Sequence, residues 1–234
     1  MNNNPIFGIV AVNQIYIDRT KNLINQMLPL VNNKFIVLTN DPSQFSYSSR
    51  ISTIPYDRTP FSFHDKRLIF EKGFELSECV ILLDADHAIR EKNTLSEIKD
   101  MNVEPGLYPQ ILWKHPAHCS FENFIEGKND RVPYGREFKE FCYNKGWATD
   151  NCVLIQESFL IFKKHDNINV FLDVWKQLAN FCETKDLERK QYILGYGEGY
   201  SIGVAVRNSG LSITEHHPLM HSLAKDMKHF AWER

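Results

Sequence analysis

Two carboxylates follow an apolar run about a third of the way along the chain. The run is Val80–Leu83, and Asp84 and Asp86 come next, separated only by Ala85. Four apolar residues bounded by polar ones are typical of a strand buried on both faces. In an extended segment, residues two apart point to the same side, so both carboxylates could face one ion. Carboxylates are hard ligands that suit Mg²⁺ or Mn²⁺, and such a cation can hold a diphosphate.

Basic and polar residues close to this motif in the predicted fold could bind the rest of a nucleotide. Lys66 and Arg67 open the helix predicted before the strand, where they could meet a phosphate or pair with Asp84. The ends of two earlier predicted strands could contact a base or a ribose in the same crevice, or simply form turns. The residues concerned are Ala11, Val12, Asn13, Thr39, Asn40 and Asp41.

Two glutamates are candidates for the catalytic group. Glu157 lies between the apolar runs Val153–Ile155 and Phe159–Phe162, and an unpaired charge is costly to bury there. Glu198 lies in a glycine-rich segment that allows close approach of backbone or ligand. Either could act as a base, a nucleophile or a stabiliser of positive charge on a sugar ring. Helix capping and core hydrogen bonding are the structural alternatives.

The C-terminal part holds four of the nine histidines. His217 and His221 have the i, i+4 spacing of a helical metal pair, but no Glu-x-x-His pattern accompanies them. A single histidine that completes the Asp84 and Asp86 site is the better hypothesis. We choose His229 first and His217 second.

The hydrophobic pattern predicts an α/β fold with a mixed, mostly parallel central sheet flanked by helices. A long irregular segment is predicted over 105–150, where Trp113, His118 and Trp147 are candidates for an acceptor pocket. We predict one domain over 1–234, with a nucleotide-binding half (5–104) and an acceptor and catalytic half (105–234). The predicted strands are 6–12, 35–38, 51–54, 80–84, 153–155 and 159–162, and the predicted helices are 22–31, 65–76, 170–182 and 200–207.

Composition excludes several other classes. A net charge of −2 without a Lys/Arg block argues against a nucleic-acid partner. Five cysteines, an odd number without a Cys-x-x-Cys pair, argue against a disulfide framework. No apolar stretch reaches the length of a membrane span, so we expect a cytoplasmic protein. Gly-x-Gly-x-x-Gly and Gly-Lys-Ser/Thr loops are absent, which disfavours Rossmann and P-loop sites.

With these segments in place, the chain resembles a GT-A-fold glycosyltransferase, a class that uses an Asp-x-Asp motif to bind a nucleotide sugar. The order of its motifs is most similar to the blood-group A/B and α-1,3-galactosyltransferase family. The resemblance implies that Glu198 lies where that family places a carboxylate below the sugar. Lys228-His229-Phe230 is similar to the glycogenin-like family, whose late histidine is a metal ligand. The segments that carry the resemblance are 6–13, 35–42, 66–86, 157–175 and 197–210.

The expected activity is therefore transfer of a sugar from a nucleotide sugar, most simply a UDP-sugar, to a carbohydrate or other hydroxyl acceptor. Asp86 would bind Mn²⁺ or Mg²⁺, and Asp84 would contact the metal or the ribose. Glu198, or else Glu157, would support the sugar carbon or deprotonate the acceptor. Two alternatives stay open: a metal-dependent phosphotransferase or phosphatase that uses Asp84 as its nucleophile, and a non-catalytic relative that binds nucleotide sugars.

Overall fold

A computed structural model describes residues 4–89, 103–109, 120–155, 159–191, 193–214 and 227–229. Glu157, Trp113 and His118 lie outside these ranges, and only the backbone of His229 is described. Eight strands are described: β1 (Ile6–Ala11), β2 (Lys34–Thr39), β3 (Ile51–Pro55), β4 (Cys79–Asp84), β5 (His87–Ile89), β6 (Gly106–Pro109), β7 (Phe159–Lys163) and β8 (Met227–His229). The α-helices in these ranges are α1 (Gln14–Met27), α2 (Arg67–Leu76), α3 (Phe121–Ile125), α4 (Gly135–Asn144), α5 (Ile168–Glu188) and α6 (Glu198–Ser209).

Six strands form one sheet in the order β3-β2-β1-β4-β7-β6. The first four are parallel, whereas β7 runs antiparallel to both β4 and β6. The prediction of a mixed, mostly parallel sheet in an α/β fold is confirmed. From β1 the chain first adds strands on one side and then returns to add β4 on the other. Open α/β sheets bind ligands at such a reversal of strand order, outside the carboxyl ends of the strands.

Helices cover both faces of the sheet. In β4, Val80 and Leu82 pack into one core, whereas Ile81 and Leu83 pack into the other, as the two-residue period of a strand requires. The first core also takes residues of α2, α4, α5 and α6, and the second takes the buried face of α1. The apolar run before Asp84 is therefore buried on both sides, as the sequence predicts.

Three predicted elements differ from the structure. The first helix begins at Gln14 rather than near residue 22, and it ends at Met27. The segment 105–150 is not irregular throughout, because its described part contains β6, α3 and α4. The segment 153–155 is not a strand of the sheet. It lies against α6, where Ile155 N–H donates to the carbonyl of Gly199 at 3.3 Å.

The sequence predicts neither a membrane span nor a disulfide framework. Within the ranges described, no helix is long and apolar enough to cross a membrane. The cysteines described there are free thiols; they are Cys79, Cys142, Cys152 and Cys182.

Candidate functional site at the carboxyl edge of the sheet

The ends of β1 and β2 are joined by asparagines. Asn13 N–H donates to Asn40 Oδ1 at 3.1 Å, and Asn13 Oδ1 caps α1 by accepting from Tyr16 N–H at 3.3 Å. Asn13 has φ 81° and ψ 161°, a conformation found almost only in glycine. Residues held in such conformations tend to occur at ligand sites. The turn after β1 is therefore both fixed and strained beside the reversal of strand order.

Asp84 is the last residue of β4 and lies opposite Val10 of β1. Ala85 and Asp86 form a turn before β5 begins at His87, so the expected extended Asp-x-Asp segment is wrong. The reason is the immediate start of β5, which pairs with β8 instead of continuing β4. The argument that both carboxylates face one side because they alternate along a strand therefore does not apply. Asp84 and Asp86 nevertheless stay within one turn at the edge of the sheet.

His87 is held by the same turn. Its Nδ1 lies 2.9 Å from the carbonyl oxygen of Asp84, and its ring packs edge-on against Phe159. A carbonyl oxygen only accepts, so His87 Nδ1 donates this hydrogen bond. A histidine that binds a metal through Nε2 usually makes such a bond with its other ring nitrogen.

Lys66 links Asp84 to Glu198. Its ammonium lies 3.0 Å from Asp84 Oδ1 and 3.6 Å from Glu198 Oε2. The side chains of Lys66 and Glu198 are 5% and 1% exposed, whereas that of Asp84 is 27% exposed. Charges so far from water must be paired, because removing a charge from water is expensive. The pairing of Lys66 with Asp84, one of two roles considered from the sequence, is confirmed.

The short 3₁₀ helix Phe63–Lys66 that carries Lys66 is fixed to α5 by a polar network. Arg58 forms ion pairs with Asp65 at 3.3 Å and with Glu183 at 2.5 Å. Ser62 Oγ donates to Glu183 Oε1 at 2.5 Å, and Tyr56 OH donates to Asp65 Oδ2 at 2.8 Å. Burial raises the pKa of Asp65, and the hydrogen bond from Tyr56 opposes that rise. The residue before Lys66 is therefore held from several sides.

His64 lies beneath this site as a neutral ring. Trp175 Nε1–H donates to His64 Nδ1 at 3.2 Å. Burial, with smaller contributions from Arg67, Arg58 and Lys66, lowers the pKa of His64 to about 3. The ring supports the packing of α5 against the 3₁₀ helix, and it is uncharged at neutral pH.

The other predicted residues are distributed more widely. Arg67 pairs with Glu71 on α2, so its charge is already compensated. Asp41 accepts a hydrogen bond from Ser43 Oγ at 2.5 Å, which lowers its pKa, and Thr39 Oγ1 accepts from Asp41 N–H at 3.2 Å. Both residues therefore serve the turn after β2. Ala11 is buried and Val12 half-buried at the end of β1.

The backbone of His229 lies near the Asp-x-Asp turn. The antiparallel pair β5–β8 places His229 opposite His87, one residue after Asp86. Trp147, by contrast, lies beside the C-terminal end of α6, since the neighbouring Ala148 N–H donates to Asn208 Oδ1 at 2.8 Å. Glu198 is at the other end of this helix, about 15 Å from Asn208 at the rise of an α-helix. Trp147 and Glu198 therefore lie at opposite ends of α6, and the role of Trp147 in an acceptor pocket stays a prediction.

Three helices begin at this edge. α1 follows β1 directly, α2 follows the 3₁₀ helix that carries Lys66, and α6 begins at Glu198. The N-terminus of a helix presents unpaired N–H groups and a partial positive charge, which favour anions. These helix starts make the edge suitable for a phosphate group even though it carries several acids.

The donor set at the turn has the chemistry of a divalent-cation site. Asp84 and Asp86 carry carboxylate oxygens, which suit Mg²⁺ or Mn²⁺. Over the ranges that the structure describes, no three His, Cys, Asp or Glu side chains are grouped closely enough to hold a metal by themselves. Phosphate oxygens would have to complete such a site. His87, which directly follows Asp86, is the residue at this turn that sequence reasoning missed.

Comparison of the sequence with protein-family models and with curated proteins gives no match.

Proposed function

We propose that this protein is a divalent-metal-dependent glycosyltransferase that takes its sugar from a nucleotide sugar, most simply a UDP-sugar. The observation that carries the proposal is the Asp84–Lys66–Glu198 cluster at the reversal of strand order. One end of this cluster is the partly exposed carboxylate of Asp84, which a cation could reach. The other end is the buried carboxylate of Glu198, the first residue of α6. The mixed, mostly parallel sheet is the architecture that the resemblance to GT-A enzymes implies.

Charge balance favours a requirement for Mn²⁺ or Mg²⁺. The edge carries three carboxylates, those of Asp84, Asp86 and Glu198, against the single positive charge of Lys66. Another nearby cation, Arg67, is already compensated by Glu71. A nucleoside diphosphate would add more negative charge at the same edge. Helix N-termini supply only about half an elementary charge each. A cation bound by Asp84 and Asp86 would neutralise the leaving diphosphate.

Glu198 is the candidate for the group that acts on the sugar. Its buried position removes it from water, which strengthens electrostatic interactions with a reacting sugar. As a carboxylate it could stabilise positive charge at the sugar carbon or accept the proton of an acceptor hydroxyl. The ammonium of Lys66 pairs with Glu198 on one side and with Asp84 on the other. One side chain therefore positions both ends of the site.

A screen of sugar nucleotides for slow hydrolysis tests the proposal and needs no acceptor. We expect one UDP-sugar to be hydrolysed with Mn²⁺ and not with EDTA, and Glu198→Gln to lose this activity. If none of the UDP-, GDP- and CMP-sugars is hydrolysed and none of the free nucleotides binds, the proposed function is wrong.

Calorimetry with UDP, GDP and CMP, with and without Mn²⁺, tests the metal separately. Asp86→Ala should abolish the part of nucleotide binding that depends on Mn²⁺. Asp173→Ala, which removes an exposed acid on α5, is the matched control and should change nothing. Unchanged metal-dependent binding in Asp86→Ala would refute the assigned metal site. Tight nucleotide binding without any turnover would favour the non-catalytic relative, and release of phosphate from a phosphomonoester would favour the phosphatase.

A further inference from the structure

Tyr196 is a large aromatic residue that lies on the surface but is held in place. Its residue is 46% exposed and belongs to neither hydrophobic core. The segment before it is fixed by backbone hydrogen bonds in both directions, Leu194 N–H to Phe61 O and Phe63 N–H to Leu194 O, each 3.0 Å. Gly195 N–H also donates to Asp186 Oδ2 at 2.7 Å. The position of Tyr196 is therefore defined by bonds rather than by burial of its ring.

Gly195 is needed for this close approach. Its φ is +93°, and a Cβ at this position would lie 3.0 Å from Phe63 N and 3.1 Å from His64 Cδ2. The chain thus brings the Tyr196 ring against Phe63, with ring centroids 6.0 Å apart and an edge-to-face geometry. Phe63 continues into a second edge-to-face contact with Phe61 at 5.5 Å. The result is a rigid aromatic surface, made of Tyr196 and Phe63, that we call the aromatic platform.

The aromatic platform adjoins the candidate catalytic group. Lys66 Nζ is 5.6 Å from the centroid of the Phe63 ring and 3.6 Å from Glu198 Oε2. Tyr196 is two residues before Glu198 in the chain. A ligand that covers the platform would therefore place its edge beside an ammonium and carboxylates. It would need an apolar face for the rings and polar groups around its rim.

We infer that the aromatic platform binds the pyranose ring of the acceptor, an inference that rests on the proposed function. A pyranose has an apolar face of C–H groups and a rim of hydroxyls. The negative face of an aromatic ring attracts such polarised C–H groups. A nucleobase is the competing flat ligand. The turns after β1 and β2, joined by the hydrogen bond from Asn13 N–H to Asn40 Oδ1, carry the side-chain amides that suit the edge of a base and are the better place for it.

Saturation-transfer NMR can test the platform with three simple probes: methyl β-D-galactopyranoside, methyl β-D-glucopyranoside and methyl α-D-mannopyranoside. The full chain is titrated with each glycoside, with and without UDP and Mn²⁺. We expect at least one glycoside to bind. Tyr196→Ala should weaken its binding about tenfold, because one ring contact and the apolar area it covers are worth roughly that factor in affinity. Tyr196→Phe keeps the ring face and should retain most of the binding.

Two controls separate the possible outcomes. UDP affinity should change less than about twofold in Tyr196→Ala, which corresponds to under half a kcal/mol. Tyr143→Ala removes another exposed tyrosine, on α4, and should leave every titration unchanged. Because Tyr196 is exposed, the variant should fold, as an unchanged melting temperature would verify.

Three results would overturn the inference. They are failure of all three glycosides to bind a chain that binds UDP, unchanged glycoside binding in Tyr196→Ala, and a loss of UDP affinity in that variant, which would assign the platform to the base. Failure of the proposed function looks different. Tyr196-dependent glycoside binding in a chain that binds no nucleotide would refute sugar transfer from a nucleotide but support the platform.

Discussion

Replacing Lys66 by methionine tests whether the buried ammonium holds the site together. Methionine has a similar length and no charge, so the change removes the ion pairs with Asp84 and Glu198 while keeping most of the packing. Removal of one partner from a buried ion pair costs about 3–5 kcal/mol. The partial exposure of Asp84, 27%, allows water to solvate that carboxylate, so we expect a loss near the lower limit. A loss of about 3 kcal/mol corresponds to a fall in melting temperature of about 6–12 °C at this chain length.

Urea unfolding followed by circular dichroism measures this change. Lys72→Met is the matched control, because Lys72 pairs with Glu75 on the same helix but both side chains are about half exposed. Exposed pairs contribute about 0–1 kcal/mol. The double variant Lys66→Met/Glu198→Gln should show a coupling energy of about 1–3 kcal/mol, since the lysine and the glutamate are in one cluster. Equal losses in Lys66→Met and Lys72→Met, or no coupling with Glu198, would refute the argument.

Three further changes test other parts of the structure. The pKa of His64 is about 3 in the folded protein and 6.5 ordinarily. Between these pH values the unfolded chain binds more protons than the folded protein, so the free energy of unfolding decreases as the pH falls through this range. From pH 7 to pH 5 the loss should be about 2 kcal/mol in urea titrations; His64→Gln should remove it and His165→Gln should not. Gly203→Ala places a Cβ 2.0 Å from the carbonyl oxygen of Val153 and should lower the melting temperature by about 4–8 °C in a thermal scan. Asn13→Gly should raise the free energy of unfolding by about 1 kcal/mol, because glycine tolerates φ 81° and the lost side-chain cap of α1 costs only a few tenths of a kcal/mol; an unchanged or lower value would show that the turn is unstrained.

The sequence predicts the fold best where the burial of apolar side chains determines the secondary structure. β4 is buried on both faces, so its apolar run and the position of Asp84 after it follow from the pattern alone. The start of α1 could not be found in this way. Ile15 and Tyr16 in its first turn are exposed, which breaks the expected apolar spacing, and the helix is fixed by the Asn13 cap instead.

Tertiary packing decides the structure of the described part of the segment 105–150. The rings of Phe124 and Tyr200 stack with centroids 4.0 Å apart, and Phe124 also packs against Phe138 at 5.0 Å. These contacts join α3 and α4 to α6. α3 has only five residues, too few to show an apolar period of its own. Prolines and scattered aromatics in the sequence therefore indicate a loop, although the aromatics in fact form a helical layer.

The support of the candidate site depends on contacts that no local pattern can reveal. Arg58 and Glu183 are 125 residues apart in the chain, yet they form a two-point ion pair. This pair fixes the loop before the 3₁₀ helix Phe63–Lys66 to α5, and Asp65 joins it from inside that helix. A catalytic group must be held within a fraction of an ångström of its working position, and side chains alone rarely achieve this without such outer contacts.

The same outer contacts connect the two proposals. The 3₁₀ helix carries Phe63 at its start and Lys66 at its end, so one short element holds both a ring of the aromatic platform and the ammonium between Asp84 and Glu198. A ligand that covers Phe63 and Tyr196 is thereby positioned relative to Glu198 without any contact of its own to the sheet. Because positioning of two reactants can supply several kcal/mol of a reaction barrier, rigidity between these two points has a direct chemical use. An enzyme that transfers a sugar between two bound molecules needs this arrangement, whereas a protein that only binds a nucleotide at the edge of its sheet does not.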